Sequence, residues 1–533
     1  MELNSETVGK GRAPLRYWPA TILAFASGLL YFLAFPGIDC WYLSFISIVP
    51  LVIALRGQTP RRGLWLGWVS GFTMTMAGFY WLLEMLRVFS GFPTPLCVLF
   101  MGALCAYQAG RMALGGWLTS RAEQRGWPFG PSFTLAFAAS EFAFPLLFPW
   151  YFGATVHNQP WLMQFAEIGG PILVGLVLVS FNLGLWEIVE GHLEKRAPRW
   201  KIVGTLLAIT AIAGLYGLIR IPMINAAIAR APKAEAGLVQ ANMSLYGKRH
   251  DLAEGLQRHL DLTNQLVQKD KIDFAVWSET SVMRAIEESN AKEAVPRAFS
   301  RLLGIPALVG SVLVRPVNDE REYIFFNSAL STDKTGAVTG RYDKTYLLAF
   351  GEYLPFGDTF PVLYSLSPNS GHFSPGTLLD PLKIGSHDVS TNICYEDLSP
   401  GFVNKMFRHH DAELIVNMTN DAWFGNTLEP WQHLALAKFR AIEQRRFLIR
   451  STNSGISAFV DPTGKMLAHT GPFVEAGLAH KVAWLQGTTV YRIVGDLPWW
   501  LVTAVSVAGA FNRRKRKHAG SPKPRNPEDV AAT

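Results

Sequence analysis

Cysteine is scarce in this 533-residue chain: there are four, and only Cys394 falls in the long polar stretch from 222 to 490. A lone thiol cannot staple its own domain, so a disulfide scaffold is excluded there and a chemical role is its best-motivated one. Cys40, Cys97 and Cys105 lie in or beside apolar segments, where a free thiol behaves as a small hydrophobe. Charge is scarce as well, 17% against about 25% in soluble domains. The twelve histidines show no His-Glu-x-x-His or paired Cys/His spacing, and His409-His410 reads as surface, so no metal site is expected. Phosphate-cradling glycine loops are missing, which argues against nucleotide chemistry, and no cofactor is expected. No Pro/Ser linker or internal repeat interrupts 222–490. No small-residue cleavage site follows the first apolar run, so that run is read as a retained span rather than a signal peptide.

What is abundant is apolar: 49% of residues are hydrophobic and 12% aromatic. Uncharged runs at 18–35, 63–83, 88–110, 168–186 and 202–219 approach the roughly 20 residues a helix needs to cross a bilayer. Weaker runs at 41–55, 131–150 and 497–512 join them, giving an expectation of about eight transmembrane helices, seven before the polar stretch and one after it. Basic residues mark the cytoplasmic side. With the N-terminus inside, the inside connections carry Lys10, Arg12 and Arg16, then Arg56, Arg61 and Arg62, then Arg121 and Arg125, then Lys195, Arg196, Arg199 and Lys201, and finally 513–517. The outside connections between the first seven spans carry only Arg87. The polar stretch is therefore expected beyond the membrane, and the net charge of +8 is explained by retention signals without a nucleic-acid partner. Glu141 sits mid-span, either a hydrogen-bond anchor inside the bundle or a wall of a lipid or substrate path. Arg111, ending the fourth span, is expected to snorkel to the interface.

Four domains are expected: a membrane domain over 1–221, a catalytic domain over 222–490, a C-terminal span over 491–512, and a basic tail over 513–533 whose Pro, Lys and Arg content reads as disorder. Within 222–490, β-rich runs at 237–241, 274–277, 307–314, 323–330, 414–418, 447–451 and 456–460, and one leading into Cys394, alternate with helical patterns at 251–268, 401–408 and 431–445. This is the alternation of an α/β layered fold.

Three side chains carry chemistry. Glu279 follows the apolar run 274–277, at the exit of a buried strand, where a carboxylate in apolar surroundings becomes a better base; the plain alternative is a surface loop residue. Lys344 precedes an apolar turn, and an ammonium near a reacting carbonyl can hold the charge of a tetrahedral intermediate. Cys394, at the end of its own β-rich run, needs a nearby base or cation to become a nucleophile. Base, charge stabiliser and nucleophile together outweigh the three taken singly.

Trp277-Ser278-Glu279, Lys344 followed by Gly351-Glu352-Tyr353-Leu354-Pro355, and Cys394-Tyr395-Glu396 resemble the nitrilase, or carbon–nitrogen hydrolase, superfamily. The stretch Asn417 to Gly425, then Gln432-His433, Arg450 to Gly455, and Phe148-Pro149-Trp150 within a multispan half narrow the resemblance to the bacterial apolipoprotein N-acyltransferases. That resemblance implies an αββα sandwich on a helical bundle in the bacterial inner membrane, with the catalytic domain facing the periplasm. It implies that Cys394 takes the sn-1 acyl chain of a phospholipid as a thioester, with Glu279 as base and Lys344 on the oxyanion. Glu352, Tyr395 and Glu396 would be supports. The acceptor would be the α-amine of a diacylglyceryl-cysteine apolipoprotein, and a monomer suffices. Leu347, Leu348, Phe350, Leu354, Phe356, Trp423 and Phe424 are lid or acyl-channel candidates, with core packing the alternative for each. Family members often carry a Lys-Trp pair after the first strand, whereas this chain reads Lys248-Arg249-His250. A membrane-tethered amide hydrolase would keep the same trio and hand the acyl group to water; a non-enzymatic membrane scaffold would have lost it.

Overall fold

The computed structural model describes residues 13–244, 252–299, 304–317, 323–349, 351–354, 356–366 and 371–514. Phe350, the Lys248-Arg249-His250 stretch and the tail beyond Lys517 lie outside them.

The apolar half forms helices α1 (Tyr17–Leu33), α2 (Val49–Leu55), α3 (Pro60–Gly78), α4 (Leu82–Ser90), α5 (Thr94–Gln108), α6 (Gly110–Gln124), α7 (Phe129–Ala143), α8 (Pro160–Met163), α9 (Ala166–Leu193) and α10 (Trp200–Arg230). By length and composition three helical stretches can cross a membrane, Thr94–Gln124, Ala166–Leu193 and Trp200–Arg230, and shorter apolar helices stand beside them. The outer face of α10 leaves Ile212, Leu215, Leu218 and Ile219 exposed, an apolar stripe suited to lipid. Its last turns run to Arg230, past the expected boundary at 221, so the polar domain begins at Lys233. Helices α3 and α6 touch backbone to backbone: a Cβ on Gly67 would lie 2.1 Å from the Met112 carbonyl oxygen. Small residues permit such packing where no water drives helices together.

Arg111 is a correction. It does not end a span but sits within the α5–α6 rod, 1% exposed, donating to Glu141 Oε1 at 2.6 Å and reaching the Tyr31 hydroxyl at 3.4 Å. Glu141 also accepts the Phe152 N–H at 2.8 Å. These bonds tie α6, α7 and the loop at Phe152 together through Glu141. Paired in this way, the arginine lets the helix continue through a position where hydropathy alone breaks it. Glu141→Leu, which strands the buried guanidinium, is expected to destabilise the protein by about 3–5 kcal/mol. Thermal unfolding in detergent checks this, and adding Arg111→Leu should restore part of the loss.

The polar region contains β1 (Lys233–Gln240), α11 (Leu252–Asp270), β2 (Phe274–Val276), β3 (Val282–Glu287), α12 (Ala291–Phe299), β4 (Ala307–Pro316), β5 (Tyr323–Thr332), β6 (Val338–Asp343) and α13 (Val362–Leu366). It continues through β7 (Leu382–Ile384), β8 (His387–Ile393), α14 (Pro400–His409), β9 (Leu414–Thr419), α15 (Glu429–Gln444), β10 (Leu448–Thr452), β11 (Ala458–Val460), β12 (Met466–His469) and β13 (Ala476–Ala483). Helices α16 (Val490–Val494) and α17 (Leu497–Phe511) close the chain. One sheet runs β13-β1-β2-β4-β5-β6 with β3 also on β4, and the other runs β12-β11-β10-β9-β8-β7. Strand alternation sorts the side chains into layers. Leu238, Phe274 and Val276 meet Val416, Met418 and Ile449 between the sheets. Val239, Ala275 and Trp277 face α11, and Ile415 and Leu448 face α14 and α15. The result is the αββα sandwich, its parallel cores β1-β2-β4 and β8-β9-β10 side by side.

Candidate active site

Parallel strands deliver their next residues at one edge, where sites of layered α/β folds form. Glu279 follows β2, Lys344 follows β6 and Cys394 follows β8. All three are buried, at 7%, 1% and 4% exposure. Lys344 Nζ lies 2.7 Å from Glu352 Oε2 and 3.6 Å from Glu279 Oε1. The Asn327 amide, on β5, donates to both carboxylates, at 2.6 Å to Glu279 and 2.8 Å to Glu352. Glu352 also accepts the Leu348 N–H at 2.8 Å, which fixes the loop beyond Lys344. Burial opposes the ammonium, but Glu352, Cys394 and Glu279 outweigh it and hold the Lys344 pKa above the ordinary lysine range. Burial and Glu279 push the Cys394 thiol well above its usual value, against the pull of Lys344 and a hydrogen bond to Thr419. The resting Cys394 is therefore a neutral thiol, which would need a base to react as a nucleophile.

Cys394 has φ 53°, a left-handed conformation that is uncommon for a side-chain-bearing residue. Its carbonyl accepts from Asn417 Nδ2 at 3.0 Å, and Asn417 in turn accepts from Arg450 at 2.7 Å. Arg450 is buried against Asp421 at 3.0 Å and Asp397 at 3.5 Å. Strain of this kind persists where surrounding bonds over-determine it, and here they turn the thiol toward Lys344 and Glu279. Glu396 locks the two halves of the site together. It accepts the Tyr342 hydroxyl and the N–H groups of Thr345, Tyr346 and Ile393 at 2.7–3.0 Å. Burial pushes its pKa up to about 7 despite those donors.

The Tyr395 ring packs against Phe424 and Phe148, and its hydroxyl donates to Glu429 at 2.6 Å. Phe424 is fully buried between Tyr395 and Trp81, so it joins the core between the two domains instead of lining a channel. Trp423 is half-buried. Leu347 and Leu348 line a cavity of about 500 Å³ with Tyr395, Tyr353, and Leu146 and Pro149 from the loop after α7. Leu354 is buried and Phe356 is 76% exposed. Asn327, Asn417, Arg450, Glu429 and His433 were given no role by sequence reasoning. Three of them, Asn417, His433 and Arg450, fall in the quoted motif stretches, whereas Glu429 lies between two of them and Asn327 had only one signal, a polar residue at a buried strand position.

Among the described residues one group of metal-ligand types converges, Asp421, Glu429 and His433, whose ligand atoms lie within 4.8 Å. Its members already pair with one another and with Arg450. Burial and Arg450 oppose a charge on His433, yet Asp397 and Asp421 raise its pKa to about 9, so the imidazole is protonated. Burial and Asp421 raise Glu429 to about 8, so that carboxyl is neutral. Arg450 already supplies Asp421 with a positive charge.

A Glu–Lys–Cys trio at the strand ends of an αββα sandwich, packed on apolar helices, defines a carbon–nitrogen hydrolase domain carried by a membrane-type bundle. Residues 235–482 match the carbon–nitrogen hydrolase family, and residues 27–184 match the apolipoprotein N-acyltransferase N-terminal domain. The apolipoprotein N-acyltransferase of Azotobacter vinelandii is 31% identical over 520 residues, covering 94% of this chain and 96% of that one. That of Geobacter metallireducens is 29% identical over 508 residues, covering 93% and 96%. Among solved structures, Nit3 of Saccharomyces cerevisiae, a nitrilase superfamily member, is similar at 15% identity and a TM-score of 0.37, covering 50% of this chain and 94% of its own. The chain belongs to the apolipoprotein N-acyltransferase family and is an acyltransferase of the carbon–nitrogen hydrolase type.

Proposed function

We propose that this enzyme moves the sn-1 acyl chain of a phospholipid onto the α-amine of a diacylglyceryl-cysteine apolipoprotein, through a thioester on Cys394. Glu279 takes the thiol proton as sulfur attacks the ester carbonyl. Lys344 holds the oxyanion and the lysophospholipid alkoxide leaves with the proton; the incoming amine, deprotonated by Glu279, then attacks the thioester carbonyl, the C–S bond breaks and the proton returns to the Cys394 sulfur. The ester and then the thioester supply the driving force, so no metal or ATP enters. Glu352, Tyr395 and Glu396 position the trio.

The observation that carries this reading is the cavity of about 500 Å³ that joins Tyr395, beside the nucleophile, to the loop leaving α7. An acyl chain entering from lipid through that gap stays out of water, where each exposed methylene costs about 0.8 kcal/mol. Leu347 and Leu348 line the approach, and the half-buried Trp423 and exposed Phe356 are lid candidates beyond its lining. The apolar helices form eight spans in a bacterial inner membrane, seven before Lys233 and the last at α17. The sandwich faces the periplasm and the basic tail the cytoplasm. The chain acts as a monomer.

Purified enzyme incubated with a defined phospholipid and a diacylglyceryl-cysteine peptide tests the reading. The expected result is acylated peptide and lysophospholipid in equal amounts. Free fatty acid formed at the same rate without peptide would move the assignment to the hydrolase.

A further inference from the structure

Where the sandwich returns to the membrane, a second cavity of about 510 Å³ opens between the end of α14 and the segment leading into α16. It shares no lining residue with the active-site cavity. Arg408, Asp411, Arg492 and Ile493 line it. Behind them Arg446 and Arg492 both reach Asp411 Oδ1 at 2.6 Å, and both guanidiniums lie over the Phe407 ring, at 5.8 and 5.3 Å. Arg408 crosses the opening by donating to the carbonyls of Arg492 and Ile493. Two guanidiniums thus share one carboxylate, and a third lines the cavity beside them. Arg408, Arg446 and Arg492 outnumber the carboxylates of Asp411 and the nearby Glu413 by one, so by formal charge the pocket is positive.

The rim explains which anion fits. Val490, Ile493, Leu497 and Trp500 are 50–65% exposed and run as one stripe from the cavity onto the outer face of α17. A soluble anion has no use for that stripe, whereas a lipid whose phosphate meets the arginines would lay its chains along it. Guanidiniums suit phosphate because their planar fork matches its oxygens. We propose that this cavity binds the phosphate of an anionic phospholipid, a structural lipid distinct from the acyl donor, and that it fixes the sandwich at the membrane surface. The proposal rests on α17 lying in the bilayer.

Native mass spectrometry of the detergent-solubilised full chain, titrated with phosphatidylglycerol, phosphatidylethanolamine or inorganic phosphate, tests it. Phosphatidylglycerol should be retained by the wild type, with affinity falling about tenfold or more in Arg408→Gln and recovering in part in Arg408→Lys. Phosphatidylethanolamine adducts and acyl transfer from it should be the same in all three. Arg408 is exposed, so its replacement spares the fold; a matching unfolding temperature confirms that. Equal phosphatidylglycerol retention by Arg408→Gln would overturn the site, and displacement of the lipid by inorganic phosphate at similar concentration would overturn its assignment to lipid. A nitroxide at Leu501→Cys in liposomes separates the underlying reading: quenching by a water-soluble nickel chelate rather than oxygen would remove α17 from the bilayer, whatever the arginine variants show.

Discussion

Cys394→Ala is expected to abolish acyl transfer, by about 10⁴-fold or more, because the proposed thioester, on which both half-reactions would depend, forms on that thiol. The decisive readout is the intact mass of the protein after incubation with phospholipid alone. The wild type should gain one acyl group, hydroxylamine should remove it, and the variant should gain none. The substitution removes one buried sulfur from a position whose backbone is held by Asn417 and Arg450, so the fold should survive and the unfolding temperature should change little. Appreciable turnover by a folded variant would sink the nucleophile assignment. An adduct that survives in the variant would place the acyl group elsewhere.

The fold was legible to the extent that each segment's pattern was local. Apolar strands such as Phe274–Val276 and Leu414–Thr419 are buried on both faces and read as continuous hydrophobic runs, as central parallel strands do. Strands β6, β12 and β13 were not anticipated. Their half-buried residues, such as Arg341 and His480, mix polar with apolar, because these edge or near-edge strands present one side to water. The fourth span was misread for a different reason. Hydropathy treats Arg111 as a terminus, while the bundle treats it as half of an ion pair whose other half, Glu141, lies on α7. The same limit applies to the site. Glu279 and Cys394 stand out because their strand ends are visible in sequence, and Lys344 because an apolar turn follows it. Asn327 and Arg450 act across strands, and a partner 48 residues away along the chain, as Glu279 is from Asn327, leaves no local trace.

Lys344→Met tests how the three charges depend on one another, and its expected effect exceeds that of a lost oxyanion donor. Removing one such donor costs about 10²–10³ in rate. Here the ammonium also neutralises two carboxylates, Glu352 at 2.7 Å and Glu279 at 3.6 Å, which share the Asn327 amide. Without it, two buried carboxylates in hydrogen-bonding reach of one amide cannot both remain ionised, so one takes a proton. If that proton rests on Glu279 for part of the time, the base is lost along with the oxyanion contact. A loss of about 10³-fold or more in acyl-enzyme formation is expected. The sign of the pH dependence separates this coupling from a simple missing donor. In the wild type Lys344 stays charged across the neutral range, since its partners hold its pKa above the ordinary value. In Lys344→Met the residual rate should climb with pH as the extra proton leaves the carboxylates, so its profile shifts alkaline relative to the wild type. A uniformly reduced rate with an unshifted profile would assign Lys344 to the oxyanion alone. A rate within tenfold of the wild type would remove it from the chemistry and leave it as a structural counter-ion for Glu352.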